Sequence, residues 1–466
     1  MDAQRESASR PLKESEKWLF SAGTMATTMQ TSIMNTYQNY FFTNIVMLST
    51  KVTGIITVLG KFFAIAWTPF KSVILTKKSW KGGKYSTYLR FFAPIACAVG
   101  AMMYVNVQAA LGVQMAYYLG LYLFQAIVGS FTETAQIALM PLLTKDQNVR
   151  MELTSKRSTI ATFGQVLYAL LTTRLVTLIG KGDMGKGYLV VYVAYTVLAV
   201  VFNINAARIG KPYDLYPVEG AEEVKEEVKE EKEKFSFKDY MWASFGNPAL
   251  LILFFGDVCK AFASMIYMNA MTYYVMDYIQ DFSGLANFYL VCNCTMLVGS
   301  YLAYPLAKRI GKKACNTLAY AGFAAGLIAA YFVGVGQFWG VTTCIGAGRF
   351  FSGLNASLSP AMYSDIGDFH WNRSGKRMHA FCMTFFSLNF SIATLFTSAV
   401  VNGCLGSVGY VGGQAATPEI KRMELMLNSL IPGIPLAVAT VASLFYPLTE
   451  KKMEEVHAEM KQKGLM

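Results

Sequence analysis

The sequence predicts an all-α integral membrane protein of twelve transmembrane helices in two six-helix bundles. Three observations carry this. The chain has 466 residues, of which 54% are hydrophobic and only 15% charged, against about 25% charged in soluble domains. Apolar runs long enough to cross a ~30 Å hydrocarbon layer recur along it. One long polar break, at 208–247, divides them six and six.

The predicted elements follow in order. A polar segment, 1–18, precedes the first apolar run. It lacks the basic-then-apolar pattern of a signal peptide, so the first helix is expected to be retained. The N-terminal bundle covers 19–207, with runs at 19–48, 52–75, 88–108, 112–143, 153–179 and 187–207. The break contains EGAEEVKEEVKEEKEKFSFK, with alternating charges, strong helix formers and no apolar stripe, and reads as a charged cytoplasmic linker. The C-terminal bundle covers 248–447, with runs at 248–277, 284–307, 314–336, 338–363, 376–404 and 427–447. A short tail, 448–466, follows.

Net charge is +12. The basic residues cluster in short loops after helices two, four, eight and ten, so they set topology rather than form a nucleic-acid surface. Their bias puts both termini in the cytoplasm of a plasma or bacterial inner membrane. The eight cysteines lie in or near apolar runs and read as small buried residues. There is no H-E-x-x-H, no phosphate-cradling glycine loop and no nucleophile–base spacing, which argues against an enzyme or a nucleotide-driven pump. Neither a cofactor nor a metal site is expected. Lys78-Ser-Trp-Lys after helix two is echoed by Lys308-Arg-Ile-Gly after helix eight. A repeated six-helix unit is the usual plan of alternating-access carriers.

Ionisable and amide residues inside the spans are the candidate site. Glu133 lies near the midplane, where a carboxylate needs a partner, a polar cavity or a proton. Arg157 lies just inside the next helix and reads as its partner, a bidentate anion clamp or a snorkelling residue. Lys61 lies deep in helix two. Asp257 and Lys260 are three residues apart in helix seven, read as a mutually neutralised pair or as a relocated coupling carboxylate. Trp67 offers a ring face for a sugar, and Asn269 and Asn389 offer amides. Asp146 and Arg150 after helix four, and Asp365, Asp368 and Arg377 after helix ten, are expected to form loop ion pairs that gate the cytoplasmic side.

Several stretches resemble one known family. Pro141 to Arg157, PLLTKDQNVRMELTSKR, matches the pattern P-x-x-T-x-D-x-x-x-R-x-x-L-x-x-x-R. SDIGDFHWNRSGKRMHAF, before helix eleven, and KSWKGGKY, after helix two, match further loops. The chain is similar to the glycoside–pentoside–hexuronide:cation symporters, the melibiose permease group of the major facilitator superfamily, over nearly its whole length from Lys17. The resemblance implies a major facilitator fold and a carbohydrate substrate. It aligns the family's sugar and cation aspartates with Thr28, Ala64, Thr68 and Glu133, and a helix-eleven lysine with Ser391. Only Glu133 and Arg157 keep their charge type. A sodium site wants several oxygens with carboxylate charge, and helix two has none. The expected protein is a symporter that imports a sugar, glycoside or hexuronide and is driven by H+ rather than Na+. Its partners are that solute and the lipid bilayer, and it is expected to act as a monomer. The alternatives are an uncoupled facilitator, a carrier of a non-sugar or anionic solute, and a non-transporting sensor.

Overall fold

A computed structural model describes residues 12–77, 83–143, 147–215, 246–280, 283–334, 336–375 and 379–463, without some side chains within the helices. The described residues are almost entirely helical. Six helices form the first half: α1 (Glu14–Asn44), α2 (Thr50–Lys77), α3 (Lys84–Met102), α4 (Leu111–Leu143), α5 (Gln147–Gly180) and α6 (Met184–Leu215). The second half holds α7 (Pro248–Tyr274), a π-helical turn (Val275–Ile279), α8 (Ser283–Ile310), α9 (Lys312–Val333), α10 (Phe338–Ser374) and α11 (His379–Ser407). It continues with α12 (Pro418–Asn428), α13 (Leu430–Leu444) and α14 (Glu450–Gln462). The last predicted span is thus two helices, broken at Ser429 with φ −137° and ψ −84°. Pro432 and Pro435 follow that break, and neither can donate a backbone hydrogen bond to a preceding turn.

Nine stretches among the described residues are long and apolar enough to cross a membrane. Helices α1, α5, α6 and α10 extend beyond their apolar runs. Glu14 to Trp18 belongs to α1, and Ser364 to Ser374 belongs to α10. The linker predicted at 208–247 begins with helical residues as far as Leu215, and 216–245 lies outside the described residues.

The chain divides into two compact units, one ending at Glu230 and the other starting at Glu231, with Val411–Gly413 assigned to the first. The same pairing scheme builds both. In the first, α1 packs on α5 and α6, α3 on α4 and α6, and α2 on α4. In the second, α7 packs on α11 and on α12 and α13, α9 on α10 and α13, and α8 on α10. Each relation in the first unit has its counterpart six helices later, so the loop echo reflects a structural repeat.

Each unit has its own apolar core. Tyr88, Leu89, Phe131, Leu139, Leu153 and Tyr213 are buried in the first. In the second, Leu250, Leu253, Tyr363 and Ile366 pack with Met453, Val456 and Met460 of α14. Those three positions fall on one stripe, so the amphipathic tail helix docks on the bundle. Large apolar side chains also face outward, including Leu178 at 71%, Phe332 at 78% and Phe445 at 74% exposure. Such surface needs a hydrocarbon solvent.

Candidate functional site

In the first unit the site is built where α1 meets α5. Arg157 stands ten residues past Gln147, about 15 Å along α5. Its Nε donates to Thr24 Oγ1 on α1 at 3.1 Å. The Thr28 hydroxyl, one turn further, donates to the Thr24 carbonyl at 2.7 Å. Its proton is committed to its own helix, and its oxygen remains a possible acceptor. Deeper in the unit, buried Gln136 of α4 donates to buried Asn203 of α6. Glu133 stands on α4 three residues before Gln136.

On α2, Trp67 is half-buried between Phe63 and Phe70, with ring centroids 6.1 and 6.0 Å away and planes within 15° and 21° of parallel. The spacing of four and three residues stacks the rings on one helix face. The Trp67 Nε1 atom is buried and donates to no partner among the described residues. Lys61, six residues earlier, is half-buried.

The side chains of Glu133, Thr68 and Arg150 lie outside the described residues, although their backbones belong to α4, α2 and α5. Asp146 and Arg377 lie outside them altogether.

In the second unit a buried polar network surrounds Asp257, which is 2% exposed. Its Oδ1 accepts from Tyr320 Oη of α9 at 2.8 Å and from Asn355 Nδ2 of α10 at 3.0 Å. Its Oδ2 accepts from the Ser359 hydroxyl. Asn355 Nδ2 also reaches Asn316 Oδ1 at 2.7 Å. Gly256 permits the approach, because a Cβ there would lie 2.6 Å from Tyr320 Cε2 and 2.7 Å from its hydroxyl.

Lys260 is half-buried and makes no ion pair with Asp257 among the described residues. In place of a direct ion pair, three neutral donors hold Asp257, while its charge still acts on Lys260. The reason is geometric: three residues on a helix are still about 60° apart, and Asp257 turns towards α9 and α10.

One arginine escaped the sequence reading. Arg349, 6% exposed, sits about a third of the way along α10. Its Nη1 donates to Ser264 Oγ at 3.0 Å and Ser352 Oγ at 3.1 Å, and its Nη2 meets Met296 Sδ at 2.7 Å. The guanidinium carbon lies 5.5 Å from the Tyr267 ring centre and 5.9 Å from that of Phe323. Hydroxyls and π faces hold this cation, with no carboxylate partner among the described residues. The signal was available: one arginine inside the apolar run 338–363.

Asn269 and Asn389 are buried on α7 and α11, and Ser391 is half-buried on α11. The structure gives them no direct bond to Asp257. Asp365 and Asp368 were expected in a loop, but both stand on the last turns of α10. Asp365 accepts from Lys312 Nζ at 2.7 Å, and Asp368 lies 3.4 Å from His457 Nε2 on α14. Both are therefore engaged within their own unit. No group of three or more histidine, cysteine or acidic residues able to hold a metal occurs among the described residues.

Two further acids cap helices at equivalent places. Asp214 Oδ2, at the end of α6, accepts from the backbone N–H of Tyr85 and Ser86, both at 2.7 Å. Glu450 Oε1, at the start of α14, accepts from Lys312 N at 2.7 Å. The residues before these helix starts, Gly83 and Gly311, have φ of +99° and +86°. Each acid thus sits on the positive end of the third helix of its unit.

Comparison with known proteins agrees with this architecture. A nucleoside transporter structure superposes with a TM-score of 0.63 at 12% identity, covering 92% of this chain and 98% of that one. That likeness shows the fold. A protein of Escherichia coli (strain K12) described as a sulfoquinovose importer is 23% identical over 458 residues, covering 96% of this chain and 94% of the relative. A second from the same organism, described as a glycoside/cation symporter, is 20% identical over 427 residues, covering 90% and 89%. The family model for MFS/sugar transport proteins matches residues 19–450, which takes in every span of both six-helix units. This chain is therefore a multi-pass membrane transporter, not an enzyme, and belongs to the MFS/sugar transport protein family.

Proposed function

We propose that this carrier imports a glycoside-type sugar together with a proton, through the polar residues of its N-terminal unit. The observation that carries the reading is the chemistry of α2 and α4. Where the resembling symporters place cation-binding aspartates in helix two, this chain has Ala64 and Thr68, and its carboxylate is Glu133 on α4. A single carboxylate is a sufficient proton carrier, whereas a sodium ion wants several hard oxygen ligands. The Thr24–Arg157 contact supports the role of Arg157 as an organiser of this region. The stacked Phe63, Trp67 and Phe70 support recognition of the apolar face of a pyranose ring. The relative described as a glycoside/cation symporter supports both the solute class and cation coupling.

The mechanism assigns Glu133 the proton and the nearby amides and hydroxyls the sugar. Proton binding neutralises Glu133 and makes it a hydrogen-bond donor as well as an acceptor. Sugar affinity and proton affinity then depend on each other through one side chain. Asp365 and Asp368 would restrain the end of α10 through Lys312 and His457.

The test is uptake of labelled galactosides, xylosides, glucuronides and hexoses into proteoliposomes. Each is run with an imposed H+ gradient, an imposed Na+ gradient and neither. Accumulation with H+ alone, lost in Glu133→Gln, is expected. Accumulation with Na+ alone refutes the proton assignment, and no uptake of any sugar refutes the solute class.

A further inference from the structure

An acidic pair lies in the second unit. The start of helix α7 shares a buried cluster with the tail helix α14, through Leu250 and Leu253 on one and Met453 and Val456 on the other. It runs 27 residues, about 40 Å, before giving way to the π-helical turn Val275–Ile279. Asp277 stands in that turn, and its Oδ2 is buried with no donor among the described residues. Glu424 stands on α12, is 0% exposed, and neither of its carboxyl oxygens receives a donor among the described residues. The two carboxyls lie within hydrogen-bonding reach of each other.

Two carboxylates cannot hydrogen-bond without a proton between them. With Glu424 shut away from water and one Asp277 oxygen buried beside it, the two cannot both keep their charge. Among the described residues the other charges around them can be named, and Glu419, at the start of α12, is exposed. Lys421, one turn before Glu424, holds its ammonium 4.8 Å from the Tyr278 ring centre and acts on both acids. Tyr274 and Tyr278, with ring centres 4.8 Å apart, wall the site. The Tyr278 hydroxyl is buried with no partner among the described residues, as is Asn428 Oδ1 one turn beyond Glu424. Arg422 is exposed and turns to Tyr331 Oη of α9 at 3.5 Å. Helix α13 has no charged side chain, and that of α11 is His379 at its far end. Those of α7, α8 and α9 are Asp257, Lys260, Lys308, Arg309, Lys312 and Lys313, all distant along their helices.

We propose that Asp277 and Glu424 form a proton-binding site, in which the two carboxyls share one proton and Lys421 balances the remaining negative charge. The site joins two irregular pieces of backbone, the π turn after α7 and the short α12 that ends at the Ser429 break. π turns interrupt helices at functional positions more often than elsewhere. With the proton in place the turn is fastened to α12. Without it two like charges face each other at contact distance, and the turn is driven off. This device is separate from Glu133 and stands or falls independently of the coupling role given to that residue.

The test is infrared difference spectroscopy of the full-length protein in nanodiscs, stepped between neutral and alkaline buffer. A protonated-carboxyl C=O band that exchanges with deuterium is expected at neutral pH. It should vanish in both Glu424→Gln and Asp277→Asn, because the surviving carboxyl then ionises opposite Lys421. Lys421→Met should strengthen the band by drawing in a second proton. Glu133→Gln should leave this component in place, which separates the two readings. A band unchanged in both carboxyl variants overturns the proposal. Loss in only one variant also does, since it marks an isolated acid rather than a shared proton. Removal of the band by sodium at constant pH would make the site a metal-cation site and overturn it too. The two amide substitutions are near-isosteric, and where one fails to fold the other together with Lys421→Met still decides.

Discussion

Replacing Asp257 by alanine separates a structural network from a coupling carboxylate. The side chain is 2% exposed and collects three donors, from Tyr320, Asn355 and Ser359. Removing it strands two hydroxyls, while Asn355 Nδ2 keeps its 2.7 Å bond to Asn316. Each stranded buried donor costs about 1–3 kcal/mol, and the vacated volume adds to this. The expected loss is about 3–6 kcal/mol. For a unit of this size that lowers the melting temperature by roughly 6–24 °C. Asp257→Asn keeps the shape and one acceptor and should cost about 1–2 kcal/mol. Tyr320→Phe should couple to Asp257→Ala by about 1 kcal/mol or more, since each removes the partner of the other. The assay is thermal unfolding of purified protein in detergent, followed by tryptophan fluorescence, beside gradient-driven uptake. Melting of Asp257→Ala at the parent temperature would refute the network argument. Parent-like melting of Asp257→Asn with abolished uptake would instead assign Asp257 to coupling.

Four other outcomes follow from the geometry. Gly256→Ala should push Tyr320 off Asp257, because the new Cβ falls 2.7 Å from its hydroxyl, and should mimic Tyr320→Phe in the melting assay. Glu14 is held down to about 2, first by its hydrogen bond to Lys156 and then by that to Lys17. Its folded value lies below the ordinary 4.5, so the α1–α5 tether is complete above that value and lost as pH falls towards 2. Hydrogen exchange in the first turn of α1 should rise across that window, and Lys156→Ala should move the midpoint upward. Val456→Asp places a charge in the tail-helix interface and should release α14, read as protease sensitivity after Thr449 and a loss of about 2–3 kcal/mol. Trp67→Ala should weaken sugar binding about tenfold or more with little change in folding, measured by equilibrium binding of a labelled glycoside.

Hydropathy located the spans well and their ends poorly, for a physical reason. It senses the apolar slab, whereas a helix continues wherever its backbone bonds continue. Asp365 and Asp368 therefore looked like loop residues, yet they occupy the last turns of α10. The tail looked featureless because it is strongly charged, but Met453, Val456 and Met460 give it a buried stripe. Asp257 was visible as an ionisable residue in a span. Its partners were not, because Tyr320 and Asn355 lie 63 and 98 residues away and no spacing in the sequence ties them to it. Arg349 stood in plain view inside an apolar run and was passed over among the longer arrays of loop charges. Glu424 sits at the edge of a span, where an acid ordinarily looks solvated. Only the packing of α12 against α7 shows that it is buried.

The two capped helix starts make the strongest case that the halves repeat one design. In sequence the echo is a glycine and a lysine within a basic loop, which a positive-inside bias could produce alone. Geometry demands more. Gly83 and Gly311 both hold the left-handed backbone that other residues enter at a cost of about 1–2 kcal/mol. Both begin the third helix of their unit, and in both an acid at the end of the sixth span receives that helix's unsatisfied N–H groups. Asp214 and Glu450 come from different residue types in dissimilar surroundings, one on α6 itself and one on a separate helix. A topological charge bias gives no reason for either carboxylate. The cap does, because it ties the start of the third helix to the last helix of the unit. Asp214→Asn and Glu450→Gln should therefore loosen the same corner of their respective units, each costing about 1 kcal/mol. Exchange of the Tyr85, Ser86 and Lys312 amides reads that loosening directly. Acceleration confined to one unit would break the equivalence.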